Sequence, residues 1–300
     1  MTDSRRVSPL ASRSIHTLRT RGRELVLGRR TRVMGVINVT PDSFSDGGLF
    51  LDADHAIARG LEMASQGADI LDIGGESTRP GASPVAPEQE LERIAPVIES
   101  LRQKTDVFLS VDTTKAKVAK WALEHGVEIV NDVSGLAGDS EMAGVVSDWG
   151  AGLVLMHRKG SPETMQKNPT YRDVVSEVCA FLARVVAAAE AAGVGPDSIL
   201  VDPGIGFGKT VEHNLQLLNR LGTLSDLGKP ILIGTSRKSF IGRALDVPVE
   251  ARLHGTAASI AAAILRGAHV VRVHDVPEMM QVARLTDAIL NETGAPEESG

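Results

Sequence analysis

Cysteine is nearly absent from this chain: Cys179 is the only one in 300 residues. An internal disulfide is therefore excluded, and the thiol count fits a reducing compartment, so a cytoplasmic location is expected. Cys179 falls in a helical pattern and reads as core packing. Positive charge is also scarce, with 32 Lys and Arg against 38 Asp and Glu, a net charge of -6. That balance excludes wholesale nucleic-acid binding but leaves room for a local cationic pocket holding an anionic substrate. Long apolar runs are missing too. No stretch reaches the roughly 18 uncharged apolar residues of a membrane span, and the alanine-rich run at 187–192 is interrupted by Glu190. Three familiar signatures fail as well. The segment from Gly204 to Thr210 resembles a phosphate-binding P-loop, but the first required glycine falls on Pro203. A dinucleotide fingerprint fails because its third glycine falls on Lys209. No zinc signature such as H-E-x-x-H occurs.

What is present is an ordinary globular composition, 42% hydrophobic and 23% charged, enough for a sizeable core. The first thirty residues are arginine-rich, with Arg5, Arg6, Arg13, Arg19, Arg21, Arg23, Arg29 and Arg30 against Asp3 and Glu24. A transit peptide has such a bias. However, residues 16–27 alternate in polarity around Gly22, which predicts a β-hairpin. Residues 1–12 are expected to be a disordered tail, 13–291 a single domain, and 292–300 a second disordered tail.

From Arg32 onward, short β-branched runs alternate with helical patterns. Strands are expected near 33–38, 70–73, 107–112, 128–131, 152–156, 199–202, 231–234 and 270–273. Helices are expected near 53–66, 88–103, 114–125, 140–149, 170–192, 210–221, 250–266 and 277–291. The segment 88–103 illustrates the reasoning. Pro87 suits a helix start, Glu88, Glu90 and Glu92 suit the positive end of the helix dipole, and Leu91, Ile94, Ala95 and Ile98 recur on one face. Eight strand–helix units predict a (β/α)8 TIM barrel with an N-terminal β-hairpin. An open doubly wound sheet is the alternative, but it concentrates glycine in one turn, whereas here glycine-rich turns follow several strands.

In a barrel, the loops at the C-terminal ends of the strands build the site. The first, from Asn38 to Gly48, is long, polar and glycine-rich, suited to closing over a substrate. Asn38 offers one neutral oxygen, which suits Mg2+ already carried by substrate phosphates; a surface turn capped by Asp42 and Ser43 is the plainer alternative. In the second loop, Arg79 can fork onto a carboxylate or phosphate, or be a solvated loop arginine. Asp112, Asn131 and Asp202 close three strands and offer acceptors to a flat heterocycle with an aminopyrimidinone edge. A divalent-metal site or, for Asp112, helix capping are the competing readings. Lys238 adds a cation for a ring oxygen or nitrogen, and Ser236 with the amides beyond it can start a helix that holds an anion. Arg237 reads equally as a structural ion-pair partner. Alternation puts Arg272 and His274 on one face, fit for a diphosphate leaving group; a satisfied barrel histidine is the plainer reading of His274.

Taken in order, these segments resemble the dihydropteroate synthase family. Met34–Gly48 is similar to its first signature and Gly75–Gly81 to its second. Ser110–Thr113, Asn131–Gly135, Asp202–Lys209, Ser236–Ser239 and Arg272–Asp275 follow in register. The resemblance spans about residues 14 to 291. It implies that 6-hydroxymethyl-7,8-dihydropterin diphosphate and p-aminobenzoate are condensed to 7,8-dihydropteroate and diphosphate, in folate biosynthesis, with Mg2+. By matching positions, Asp112, Asn131, Asp202 and Lys238 would read the pterin, with Met156, Phe207 and Gly234 around the ring. Asn38, Arg272 and His274 would hold the diphosphate, Asn38 also the metal. Phe44, Asp46, Thr78, Arg79, Pro80 and Ser236 would contact the substrates as the first two loops close. The resemblance further implies a homodimer and sensitivity of the family to sulfonamides, which imitate p-aminobenzoate. A pterin-binding methyltransferase domain serving a corrinoid, and a non-catalytic pterin-binding partner, are the rival readings.

Overall fold

The computed structural model describes residues 13–40, 48–77, 84–161 and 164–293. The terminal segments 1–12 and 294–300 lie outside the described residues. An antiparallel hairpin comes first, β1 (His16–Thr20) and β2 (Arg23–Leu27). Gly22, at φ +73°, forms its turn. Then follow β3 (Arg32–Asn38), α1 (Gly48–Ser65), β4 (Ile70–Gly74), α2 (Pro87–Lys104), β5 (Phe108–Asp112) and α3 (Ala116–Glu124). Next come β6 (Ile129–Asp132), α4 (Met142–Trp149), β7 (Gly152–Met156), α5 (Val174–Ala191) and β8 (Ile199–Asp202). The chain ends with α6 (Val211–Asn219), β9 (Leu232–Ile233), α7 (Ser239–Leu245), α8 (Leu253–Ile264), β10 (Val270–Val273) and α9 (Val276–Asn291). Strands β3 to β10 form one parallel sheet in the order β8-β7-β6-β5-β4-β3-β10-β9. The two edges meet through a parallel bridge between Val201 and Ile231. That contact closes the sheet into the TIM barrel that the strand–helix alternation predicts.

The differences from the expected boundaries have local causes. The fifth long helix begins at Val174 rather than 170, because the Asp173 side chain accepts the Ser176 N–H at 2.7 Å and caps it there. The pattern read over 250–266 divides into a short turn at Val249–Ala251 and α8. Helix α7 follows the helix start read at Ser236, three residues later and without a helical period to mark it, since it has only seven residues. At the C-terminus the last helix is closed by Glu292 in a left-handed conformation, φ +53°, and the Thr293 N–H reaches Ala288 O. Those two residues thus belong to the helix cap rather than to a tail.

Strand alternation determines what fills the barrel. Met34, Ile70, Phe108, Ile129, Val154, Leu200, Leu232 and Val270, one from each strand, form an apolar floor with Leu18, Leu25 and Leu27 of the hairpin. The hairpin therefore plugs the N-terminal end. Carboxylates anchor this end from outside. Asp69 accepts from Arg30, Arg32 and the Val33 N–H, Glu128 from Arg23, Arg102 and the Leu109 N–H, and Asp287 from Arg13 and Thr31. The larger core lies between strands and helices.

Candidate functional site

Two residues beyond each floor position, the side chains return to the barrel interior. The second tier so produced is Val36, Asp72, Ser110, Asn131, Met156, Asp202, Gly234 and Arg272. Apolar filling gives way here to charge. Arg272 donates from Nε to Asp72 Oδ2 at 2.6 Å and from Nη2 to Asp112 Oδ2 at 2.7 Å. Asn131 donates from Nδ2 to Asp72 Oδ2 at 2.9 Å, and the Ser110 hydroxyl donates to Asp72 Oδ1 at 2.6 Å. Asp112 is 8% exposed, and its Oδ1 is buried without a hydrogen-bond partner among the described residues. Such an orphaned acceptor costs about 1–3 kcal/mol, or more when charged, unless a ligand supplies the missing donor. Burial pushes the Asp112 carboxyl up to about 7; Arg272 opposes the shift while Asp72 and Glu90 add to it.

Asp202 is buried at the end of β8, where burial raises its pKa against the pull of Lys238, the Gly204 N–H and Lys209. Its Oδ1 accepts the Gly204 N–H at 2.7 Å. The loop behind it is held by Lys209, whose Nζ reaches Gly204 O at 2.8 Å, Phe207 O at 3.0 Å and His157 Nδ1 at 2.9 Å. Burial lowers the pKa of both partners: Lys209 falls well below the usual lysine range, and His157 falls to about 3 with Lys209 adding to the effect. The near-miss P-loop lysine is thus structural. Gly204 and Gly208 have φ of +68° and +66°, and a Cβ at either would meet the carbonyl of His157 or Lys159 at 1.9 or 2.3 Å. The glycines serve this close backbone approach. Lys238 Nζ donates to Ile205 O and lies 4.7 Å from the centre of the Phe207 ring. Burial lowers its pKa to about 8, with Asp202 opposing and Arg272 assisting.

At the rim, Ser236 Oγ lies 3.0 Å from His274 Nδ1 and accepts the His274 N–H at 3.2 Å. Arg237, between Ser236 and Lys238, is left-handed at φ +57°. Its guanidinium pairs with Asp275 through Nε and Nη2, its backbone N–H meets Thr256 Oγ1 at 3.1 Å and its carbonyl accepts from Arg252 at 2.9 Å. Of the two roles open to Arg237, the structure gives it the ion pair. Asn38 ends β3, beside Gly74. Asp112, Asn131, Met156, Asp202, Gly234 and Arg272 therefore converge on the C-terminal mouth, joined by Lys238, Phe207, Ser236 and His274. Phe44, Asp46, Thr78, Arg79 and Pro80 lie outside the described residues.

Sequence reasoning gave two groups no role in the site. Asp72, inside the strand expected at 70–73, is the fully buried centre of the second tier. Its signal is a lone acid in Ile70–Gly74, two positions after a floor residue. The other group is Glu76, Lys115 and Glu90: Lys115 Nζ contacts Glu76 Oε2 at 2.5 Å and Glu90 Oε2 at 2.6 Å, while Glu76 Oε1 accepts the Val85 N–H at 3.0 Å. Glu76 thereby joins the two stems of the second loop. Nothing in their spacing along the chain brings these three together.

Among the described residues no group of three or more His, Cys, Asp or Glu is arranged to hold a metal. Asn38, at the end of β3, offers one neutral oxygen to a cation that arrives with phosphate oxygens.

A family model described as pterin binding enzyme matches residues 34–274. A relative from Synechocystis, named dihydropteroate synthase, is 48% identical over 263 residues, covering 87% of this chain and 91% of its own. A dihydropteroate synthase from Xanthomonas albilineans, solved with 4-aminobenzoic acid, superposes with a TM-score of 0.86 at 44% identity, covering 92% of this chain and 99% of its own. One from Clostridium difficile, solved in the presence of pteroic acid, gives a TM-score of 0.83 at 48% identity, covering 88% and 98%.

Proposed function

The chain belongs to the pterin binding enzyme family and, within it, to the dihydropteroate synthases; from that membership we infer how its residues join a pterin to p-aminobenzoate. The reaction condenses 6-hydroxymethyl-7,8-dihydropterin diphosphate with p-aminobenzoate, giving 7,8-dihydropteroate and diphosphate. The observation that carries the assignment to residues is the orphaned Asp112 Oδ1, at the rim next to the tier that holds Asn131 and Asp202. Three acceptors face one space, and the N–H groups of an aminopyrimidinone edge satisfy them. A charge-assisted bond of this kind contributes about 1.5–3 kcal/mol. Met156 and Phe207 flank the ring, and Lys238 meets a ring oxygen or nitrogen from the far side.

The leaving group lies toward Asn38, Arg272 and His274. Negative charge grows on the diphosphate oxygens as the methylene carbon–oxygen bond breaks, and Arg272 and His274 stabilise that charge where it develops. Mg2+, held at Asn38 and on the phosphates, would add further neutralisation. No nucleophilic side chain is required. The electron-rich dihydropterin shares the positive charge left on the methylene, which favours an SN1-like path. The arylamine nitrogen then supplies the pair for the new C–N bond and loses a proton. Phe44, Asp46, Thr78, Arg79, Pro80 and Ser236 are proposed to shape the p-aminobenzoate side. Holding both reactants in one orientation supplies much of the rate.

We also propose a cytoplasmic homodimer. Leu285 and Ile289, 66% and 63% exposed and one turn apart on α9, give an apolar face suited to such a contact. No helix among the described residues is long and apolar enough to cross a membrane. The assay that tests the function is diphosphate release, with and without p-aminobenzoate and Mg2+. Release that requires p-aminobenzoate is the expected result. Pterin binding without turnover would instead support a non-catalytic partner, and transfer to a corrinoid would support the methyltransferase reading.

A further inference from the structure

Asp72 stands in the centre of the barrel, 0% exposed, between the apolar floor and the mouth. A carboxylate there is strongly disfavoured unless it is paired and its oxygens are hydrogen-bonded. Its partners come from three different strands: Ser110 on β5 at Oδ1, and Asn131 on β6 and Arg272 on β10 at Oδ2. Two of these three are residues to which the proposed function gives a substrate contact. A mere counter-ion for Arg272 would not need the amide of Asn131.

The chemistry of that amide is the informative point. An asparagine side chain has a donating end and an accepting end of nearly the same shape, and its neighbours decide which way it points. A carboxylate oxygen already receiving the Arg272 Nε–H can only accept from Asn131. The Asn131 nitrogen is therefore committed to Asp72, which leaves the amide oxygen as the end available to a ligand. The same carboxylate holds the Arg272 guanidinium so that Nη2 reaches Asp112. We propose that Asp72 is a positioning residue that fixes the hydrogen-bond polarity of the pterin site, by making Asn131 an acceptor and setting Arg272 against Asp112. This rests on the pterin reading given above. It assigns to Asp72 no contact with the substrate.

A double-mutant cycle on pterin affinity tests it. In calorimetry with 6-hydroxymethyl-7,8-dihydropterin, Asp72→Asn should weaken binding tenfold or more, because the new amide lets Asn131 reverse. In an Asn131→Ala background the same change should cost at least threefold less, the remainder measuring the route through Arg272. Ser110→Ala, which removes only the bond at Oδ1, should lower the melting temperature with less than a threefold change in affinity. Equal cost of Asp72→Asn in both backgrounds would overturn the proposal, since a purely structural role acts whatever stands at 131. If Asp72→Asn does not fold, the unaltered protein still decides. The Asn131 side-chain amide, assigned in 15N-labelled protein by its loss in Asn131→Ala, should be protected from solvent exchange both free and with pterin bound. Rapid exchange in the free protein, or a new pterin contact at that nitrogen, would refute the inference. Absence of any pterin binding by the unaltered protein would instead remove the functional reading beneath it.

Discussion

Replacing Asp112 by asparagine should make the protein more stable at alkaline pH while removing much of its affinity for pterin. Burial raises the Asp112 carboxyl from an ordinary 3.8 to about 7 in the folded chain. Below pH 3.8 the group is protonated in both folded and unfolded chains and contributes no pH dependence. Between 3.8 and 7 the unfolded chain releases the proton while the folded chain retains it, so stability falls as pH rises. Above 7 the loss is complete. A rise of about three pH units at about 1.36 kcal/mol each sets an upper bound of about 4 kcal/mol, which water at the barrel mouth reduces. The amide that replaces the carboxyl in Asp112→Asn is neutral at every pH, and its oxygen can still accept from Arg272. The melting temperature of Asp112→Asn minus that of the unaltered protein should therefore grow from pH 4 to pH 7 and then level off. At this chain length the gain is on the order of 2 °C per kcal/mol. Melts in a common buffer series measure the difference directly, because titrations shared by both proteins cancel. A difference that is flat with pH would refute the reasoning, and so would one that declines. Pterin affinity should fall in the same variant, since its acceptor is weakened and a donor now faces the ring. Such opposition between stability and function is expected where a buried charge is kept for a ligand.

The other predictions address the cations, the rim and the metal. Lys238 titrates near 8 in the free protein, so kcat/KM should decline as pH rises through about 8, and Lys238→Arg should move that limb upward even if the rate is lower. Arg237 is left-handed at φ +57°. Arg237→Gly should therefore change stability by less than about 1 kcal/mol, while Arg237→Val, β-branched and ill suited to that conformation, should cost about 2 kcal/mol or more and raise both KM values; chemical denaturation and initial rates check this. Chelation of Mg2+ should weaken binding of the pterin diphosphate and leave that of the unphosphorylated pterin alcohol unchanged in calorimetry, with Asn38→Ala reproducing the same selectivity.

Much of the barrel was legible because alternation of β-branched runs with helical patterns records burial on both faces of each strand. The strand centres at Met34–Ile37, Leu109–Val111 and Leu153–Leu155 were placed for that reason. Boundaries were less legible where a single interaction sets them, as with Asp173 capping α5. Helix α7 was legible only as a helix start near Ser236, because seven residues carry too little period. Asp112, Asn131 and Asp202 stood out because they lie at strand ends, and a barrel brings strand ends together whatever their separation in sequence. The pairing of Arg272 with Asp72, 200 positions away, could not be read. It depends on which strands are neighbours and on tier height, which emerge only when the sheet closes.

The tiers explain why one carboxylate in a strand can control several substrate contacts. Each strand sends alternate residues inward, so a floor residue, a second-tier residue and a rim residue follow at intervals of two: Ile70, Asp72 and Gly74 on β4, or Val270 and Arg272 on β10 with His274 just past its end. The floor excludes water from below. The second tier then holds charge in a low-dielectric space, where each pairing is stronger and each unpaired group more costly. Substrate meets the second tier and the rim, so groups at the second tier are partly occupied by one another beforehand. Arg272 on Asp72 and Asp112, and Asn131 on Asp72, are fixed before any ligand enters. The acceptor left over, Asp112 Oδ1, is what the ligand completes. A site preorganised in this way spends little binding energy on reorienting its own dipoles, and more of that energy remains for ordering the substrate. The same construction makes the tier sensitive to neutral substitutions. Loss of one charge at Asp72 redirects two neighbours at once, whereas loss of Ser110 alters only the one bond it makes.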